Sequence, residues 1–118
     1  MRTLPVMLLG AAFGLAQAAP ASHPFPWMSG AQLLRQLDHP ANAAESAEAV
    51  AYLKGVMDAT ADREWCYSQA KPGTGLLQPA LTDVLRTLEP AARQANAARL
   101  AVQAWQAKWP CTVGCCHV

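Results

Sequence analysis

Apolar residues recur at helical spacing along four stretches of the chain. The first stretch predicts a helix from Gly30 to about Asp38, with apolar positions at Leu33, Leu34 and Leu37. Ser29 precedes this helix as a potential N-cap, and Gln32 follows three residues later, which is the spacing of a capping box. We expect the helix to end at His39-Pro40, because a residue before proline avoids helical angles.

The second stretch predicts a helix from near Asn42 to about Glu64. Its apolar arc is Ala47, Val50, Leu53, Met57 and Ala61, with Val56 at the edge. Gly55 lies on the other side, flanked by Ala51 and Ala59 and beside Tyr52. A glycine inside a helix costs about 1 kcal/mol relative to alanine. We therefore expect a second backbone to approach closely at Gly55; the alternative is a glycine that the helix simply tolerates.

Two further helices complete the pattern. Pro72-Gly73 and Gly75 predict a loop over residues 65–75. A third helix should begin at Gln78 or Pro79 and end at Leu88, and a fourth should run from Pro90 to about Trp109. No segment alternates as a strand does. The chain is therefore predicted to be all-α, a compact bundle of about four helices in one domain.

The first 18 residues have the character of an export signal. Arg2 precedes an apolar run over residues 4–15, and Ala16-Gln17-Ala18 is a small-x-small cleavage pattern. The run is shorter than the roughly 20 residues that span a membrane. A buried first helix is the alternative. We expect cleavage to leave residues 19–118 as a helical domain with no membrane insertion, with residues 112–118 as a flexible tail.

Composition limits the function classes. Nine basic and eight acidic side chains give a net charge of +1, which provides no basic footprint for nucleic acid. Hydrophobic residues make up 53% of the chain, and many of them are alanine, which fills a core poorly. A core of this kind benefits from covalent cross-links in a small exported domain.

The chain has four cysteines, and in an oxidising compartment an even number suggests disulfides. A bridge from Cys66 to Cys111 would close a loop of about 45 residues, worth about 4 kcal/mol in the loop-entropy model. The alternatives pair Cys66 with Cys115 or Cys116, and the state of the remaining thiols is left open.

The residue pattern disfavours an enzyme and a bound cofactor. No nucleophile stands in a recognisable arrangement with a base, and no phosphate-binding loop is present. Asp58 and Asp62 are four residues apart and could do acid–base work, but a solvated helix face is the simpler interpretation. The soft ligands Cys111, Cys115, Cys116 and His117 match no familiar zinc spacing, so copper or zinc handling is kept only as an alternative function.

Protein binding remains. The loop after the second helix carries Trp65, Tyr67, Gln69 and Lys71, a mixture of aromatic and polar residues suited to anchoring a partner. The alternative for Trp65 is that its ring packs back on Trp105.

Three segments together resemble a known family. They are W-M-S-G-A-Q-L-L at 27–34, A-Y-L-K-G-V-M-D-A at 51–59, and W-P-C at 109–111. The chain resembles the Rap/Tai immunity proteins, which protect bacteria against peptidoglycan amidase toxins delivered by type VI secretion. The resemblance covers about residues 25–111.

The resemblance implies a small helical periplasmic domain, often a homodimer, that occludes the cleft of a cognate amidase effector with a protruding loop. The family motif corresponds to Tyr52, Gly55, Val56, Asp58 and Ala59, and its cysteines correspond to Cys66 and Cys111. A periplasmic helical module that binds another protein is the alternative function.

Overall fold

The computed structural model describes Gly14 and residues 27–112, and over this part the protein is all-α, as predicted. The predicted signal segment lies outside the described residues. The helices are α1 Gly30–Asp38, α2 Ala43–Thr60, α3 Tyr67–Ala70, α4 Thr74–Thr87 and α5 Ala97–Lys108, with a 3-10 helix at Ala92–Gln94 before α5.

The helix α1 has the predicted bounds. The Ser29 hydroxyl oxygen accepts the backbone N–H of Gln32 at 3.1 Å, which satisfies one of the donors left open at a helix start. Asn42 caps α2 in the same way by accepting the N–H of Glu45 at 2.9 Å. α2 ends four residues earlier than predicted, at Thr60, because the chain turns at Asp62 with a φ of 59°.

The predicted bounds of the last two helices are wrong. α4 begins at Thr74 and includes Pro79, whereas the sequence pattern placed proline at the helix start. The predicted fourth helix is divided in two, because Ala95 is extended and Asn96 begins a new helix by capping the N–H of Arg99 at 3.2 Å. An asparagine can start a helix as well as sit within one, so the apolar spacing alone did not reveal this break.

The core lies between α1, α4 and α5, with one face of α2 packed on α1 and α5. Its fully buried large side chains are Trp65, Trp105, Leu33, Leu81, Leu85 and Cys66. On α2 the buried residues are Ala49, Leu53 and Val56, whereas Val50 is 40% exposed. The buried face is therefore rotated from the predicted arc.

The starts of α1 and α5 are joined through their backbones. The N–H of Gly30 donates to the carbonyl of Ala95 at 3.0 Å, and the N–H of Ala97 donates to that of Met28 at 2.8 Å. A Cβ atom at Gly30 would lie 2.5 Å from Leu100 Cδ1 and 3.0 Å from the carbonyl oxygen of Arg93. Close backbone approach therefore occurs at Gly30. The prediction that it occurs at Gly55 is wrong, since a Cβ there would meet nothing within 4 Å.

Two ion pairs connect the outer ends of the helices. Arg35 on α1 pairs with Glu45 on α2 at 2.5 Å, and Arg86 on α4 pairs with Asp38 at 2.7 Å. The Arg35 guanidinium, together with the N–H of Ala41, lowers the pKa of Glu45 to about 2. Exposed pairs of this kind contribute little stability individually, but they fix how the helix ends are joined.

The cysteines Cys66 and Cys111 are both disulfide-bonded. The N–H of Cys66 donates to the carbonyl of Trp109 at 3.0 Å, so the segments that carry the two residues run together. A bond between these two sulfur atoms is not shown, and the Cys66–Cys111 pairing stays a prediction. The predicted flexible tail begins with Thr112, whose hydroxyl donates to Gln69 Oε1 at 2.9 Å, and residues 113–118 lie outside the described residues.

An added methyl group should have opposite effects on stability at Gly30 and at Gly55. We expect Gly30→Ala to destabilise the protein by about 1–3 kcal/mol, because the new atom overlaps backbone and core. Gly55→Ala should stabilise it by about 0.5–1 kcal/mol through better helix propensity. Thermal unfolding of both variants by circular dichroism measures the effects. An unchanged midpoint for Gly30→Ala would contradict the close approach of α1 and α5.

The cysteine pairing can be tested in a variant that leaves only two cysteines. Cys111, Cys115 and Cys116 share one tryptic peptide, because no Lys or Arg follows Lys108. We therefore expect the Cys115→Ser/Cys116→Ser double variant to keep a linked Cys66–Cys111 peptide in non-reducing mass spectrometry and to keep its melting midpoint. Free thiols in that variant would show that Cys66 pairs elsewhere.

Candidate protein-binding surfaces

The first candidate surface is the α3 turn, residues 62–71, where the chain reverses after α2. Asp62 adopts the left-handed conformation, which aspartate tolerates better than most residues. Its Oδ1 accepts the N–H of Ser68 at 2.7 Å, and its Oδ2 accepts the Ser68 hydroxyl at 2.5 Å. The carboxylate thereby satisfies an open donor at the start of α3, which has no side-chain cap of its own.

The far end of the α3 turn is attached to the end of α5. Lys71 closes α3 in the left-handed conformation, with its N–H donating to the carbonyl of Tyr67 at 2.6 Å. Gln69 accepts the hydroxyl of Thr112, and the N–H of Cys66 donates to Trp109. The turn is therefore held in one conformation by contacts on both sides.

The structure separates the four predicted interface residues into two groups. Trp65 is fully buried, so its predicted exposure is wrong and the alternative packing on Trp105 is confirmed, with ring centroids 5.0 Å apart. Tyr67 is half-buried, and its ring stands nearly perpendicular to that of Trp65 with the centroids 6.1 Å apart. Gln69 and Lys71 are exposed. The aromatic residues support the turn from within, and its outer surface is polar.

Trp65 is held in place by polar as well as ring contacts. Its Nε1 donates to the hydroxyl of Thr60 at 2.9 Å, and the Thr60 hydroxyl donates in turn to the carbonyl of Val56. The buried indole N–H is therefore satisfied, which removes the main cost of burying a tryptophan. This bond from the α3 turn to the end of α2 was not predicted from the sequence.

The second candidate surface is the part of α2 that carries the family motif. Val56 is buried and Tyr52 is half-buried. Burial raises the pKa of the Tyr52 hydroxyl, and a hydrogen bond with the backbone of Ala98 partly opposes this increase in pKa. Gly55 and Ala59 are exposed. A shallow depression of about 380 Å³ is lined by Ala51, Tyr52, Gly55, Val56, Ala59, Thr60 and Ala98. Asp58 is absent from this lining, so the motif residues are divided between two faces of the helix.

The structure shows the surroundings of several residues that the sequence offered for catalysis or metal binding. Within residues 27–112 no three His, Cys, Asp or Glu side chains are grouped as metal ligands. Asp62 is engaged by Ser68, so the Asp58 and Asp62 carboxylates do not act as a free pair. Cys66 and Cys111 are oxidised and cannot serve as thiolate ligands. The predicted alternative that uses Cys115, Cys116 and His117 lies outside the described residues.

The family model of the Rap1a immunity proteins matches residues 29–111. The chain belongs to the Rap1a immunity protein family. The match extends from the N-cap of α1 to the second disulfide-bonded cysteine, so it contains all five helices and the α3 turn. Membership implies an immunity protein that binds a cognate effector toxin.

A comparison with curated proteins gave no match. Among the helices of the described part, none is both long and apolar enough to cross a membrane.

The Asp62–Ser68 contact predicts a measurable titration. Hydrogen bonds from Ser68 lower the pKa of Asp62, so Ser68→Ala, which removes the hydroxyl but keeps the N–H, should raise this pKa towards its ordinary value. The bond should stabilise the fold above the unfolded-state pKa, and this contribution should be lost as the pH falls through the folded-state value. NMR titration of the Asp62 carboxyl carbon measures the shift. Identical titration curves for the wild type and Ser68→Ala would contradict the contact.

Proposed function

We propose that this Rap1a-family protein is a periplasmic immunity protein that binds a peptidoglycan amidase delivered by type VI secretion and occludes its active-site cleft. The observation that carries the proposal is the family match over residues 29–111. Two features support the location: the signal-like pattern of residues 1–18, and the oxidised state of Cys66 and Cys111, since disulfides persist in oxidising compartments.

Occlusion requires a surface that keeps its shape, and the α3 turn meets this requirement. Asp62 holds its first half and Thr112 holds its second half, while Trp65 fills the space beneath it. A segment that is already ordered loses little conformational entropy when it binds. We therefore assign Gln69 and Lys71, at the outer surface of the turn, to the contact with the amidase.

The proposed action needs no chemistry by the immunity protein itself. The amidase would lose activity because its substrate cannot enter the cleft, so protection should follow the stoichiometry of the complex. Formation of a homodimer, which the family resemblance implies, is part of the same proposal and can be measured on the same purified samples by light scattering.

Co-expression tests the proposal directly. We expect the full-length protein to restore survival of cells that export a candidate peptidoglycan amidase effector to the periplasm, and the purified proteins to form a complex without amidase activity. Survival that is not restored, together with no complex, would contradict immunity against that amidase. It would favour a helical module for another protein partner.

A pair of charge reversals locates the contact. Lys71→Glu should weaken binding by about tenfold or more, the scale of one lost interfacial charge contact, or about 1.4 kcal/mol. Arg99→Glu is the matched control, because Arg99 is also exposed but lies at the start of α5. Titration calorimetry measures both variants. Equal affinities for the two would remove the α3 turn from the proposed contact.

A further inference from the structure

An oxidised cysteine lies at the base of the α3 turn. Cys66 is the residue directly before α3, and it is 1% exposed. Trp65, on one side of it, is buried in the core, whereas Gln69 and Lys71, a few residues further on, are exposed. The disulfide-bonded sulfur therefore lies where the chain passes from the core to the proposed contact surface.

The disulfide of Cys66 has few possible partners within the chain. The other three cysteines are Cys111, Cys115 and Cys116, and all of them follow α5. Any disulfide that Cys66 forms within the chain therefore ties the α3 turn to the segment after α5. This conclusion does not depend on which of the three sulfur atoms is the partner.

The segment after α5 is a thin brace for the turn. α5 ends at Lys108, and residues 110–112 are exposed and outside any helix. Trp109 accepts the N–H of Cys66 at 3.0 Å, and the Thr112 hydroxyl donates to Gln69 Oε1 at 2.9 Å. Hydrogen bonds at an exposed position exchange readily with water, so each contributes little by itself. The covalent bond is the contact that keeps this brace in place.

Other contacts hold the helical core together. The indole N–H of Trp105 donates to the carbonyl oxygen of Leu77 at 3.0 Å and joins α5 to α4. The N–H of Gly30 donates to the carbonyl of Ala95, which joins α1 to the start of α5. Neither bond involves residues 66–71 or 109–112. The helices should therefore keep their packing when the brace is released.

We propose that the disulfide-bonded cysteines Cys66 and Cys111 form a redox latch, which holds the α3 turn in its binding conformation and releases the turn on reduction while the helical core stays folded. The proposal rests on the proposed function, because it states when the proposed contact surface is available. A chain in a reducing compartment would not bind its effector, and a chain in an oxidising compartment would.

Opening the latch is a thiol–disulfide exchange with a dithiol reductant. A thiolate of the dithiol attacks one sulfur of the disulfide, the S–S bond breaks, and the second sulfur leaves as a thiolate that takes up a proton. The second thiol of the reductant then displaces the first cysteine, so the reductant ends as a disulfide and the protein as two thiols. Since Cys111 is exposed and Cys66 is buried, attack occurs at Cys111.

The conformational step can be measured without an effector. Backbone NMR relaxation is recorded on the mature protein with and without dithiothreitol. We expect the order parameters of residues 66–71 to fall on reduction from about 0.85 to below about 0.6, the range of flexible backbone, while the helices α1, α4 and α5 keep their chemical shifts. Unchanged order parameters in the turn would overturn the proposal. So would collapse of the whole spectrum, which would make the disulfide a requirement of the entire fold.

The binding step uses two variants that differ only at an exposed position. The Cys115→Ser/Cys116→Ser variant keeps Cys66 and Cys111, whereas the triple variant with Cys111→Ser leaves the Cys66 thiol in the core with no partner in the chain. Titration calorimetry with a candidate peptidoglycan amidase effector is done without reductant, so that the effector's own disulfides stay intact. We expect the double variant to bind as the wild type does and the triple variant to bind at least tenfold more weakly.

The outcomes separate the latch from the proposed function. Equal affinities for the wild type and the triple variant would show that the latch does not control binding, and the proposed function would stand. A double variant that binds as weakly as the triple variant would show that Cys111 does not close the latch. If the wild type does not bind the amidase, the proposed function fails against that effector, and the NMR comparison still decides whether reduction releases the turn.

Discussion

The indole N–H of Trp105 donates to the carbonyl oxygen of Leu77 at 3.0 Å inside the core. This bond fixes α5 against α4 and places the ring of Trp105, which the ring of Trp65 contacts at a centroid distance of 5.0 Å and an interplanar angle of 50°. Trp65 in turn supports the α3 turn, and Trp105 also lines a cavity between α2 and α4. The proposed contact through the α3 turn therefore depends on the placement of one tryptophan, which its hydrogen bond to Leu77 makes specific.

The sequence predicted those helix ends that are determined by contacts between residues close together in the chain. The Ser29 cap and the His39-Pro40 stop determine α1 through contacts within a few residues, and Asn42 does the same for α2. The predicted helix bounds are wrong where contacts between residues distant in the sequence determine where a helix begins. Pro79 lies within α4, because the helix begins upstream of this proline and Leu77 is buried in the core. Asn96 divides the predicted last helix at the point where Ala95 and Ala97 form backbone hydrogen bonds with the start of α1.

The candidate surfaces could be predicted only in part. The order of polar and aromatic residues in 65–71 indicated a surface loop and left two orientations open for Trp65, outwards to a partner or inwards onto Trp105, because the apolar periodicity of α5 does not decide between them. Asp62 can accept hydrogen bonds from Ser68 because its backbone is left-handed, and an aspartate within a helical pattern gives no sign of such a turn. Gly55 shows the same limit: its flanking alanines suggest a neighbouring helix, yet the structure leaves that face open.

The backbone joint between Met28–Gly30 and Ala95–Ala97 connects the first helix of the domain to the last. Such a join between distant parts of the chain closes late, because the entropy of the intervening loop must be overcome first. A nascent chain that still lacks its final helix cannot form this core. If the chain is exported as proposed, its architecture would delay compaction until synthesis is nearly complete, which keeps the polypeptide threadable through a translocation channel.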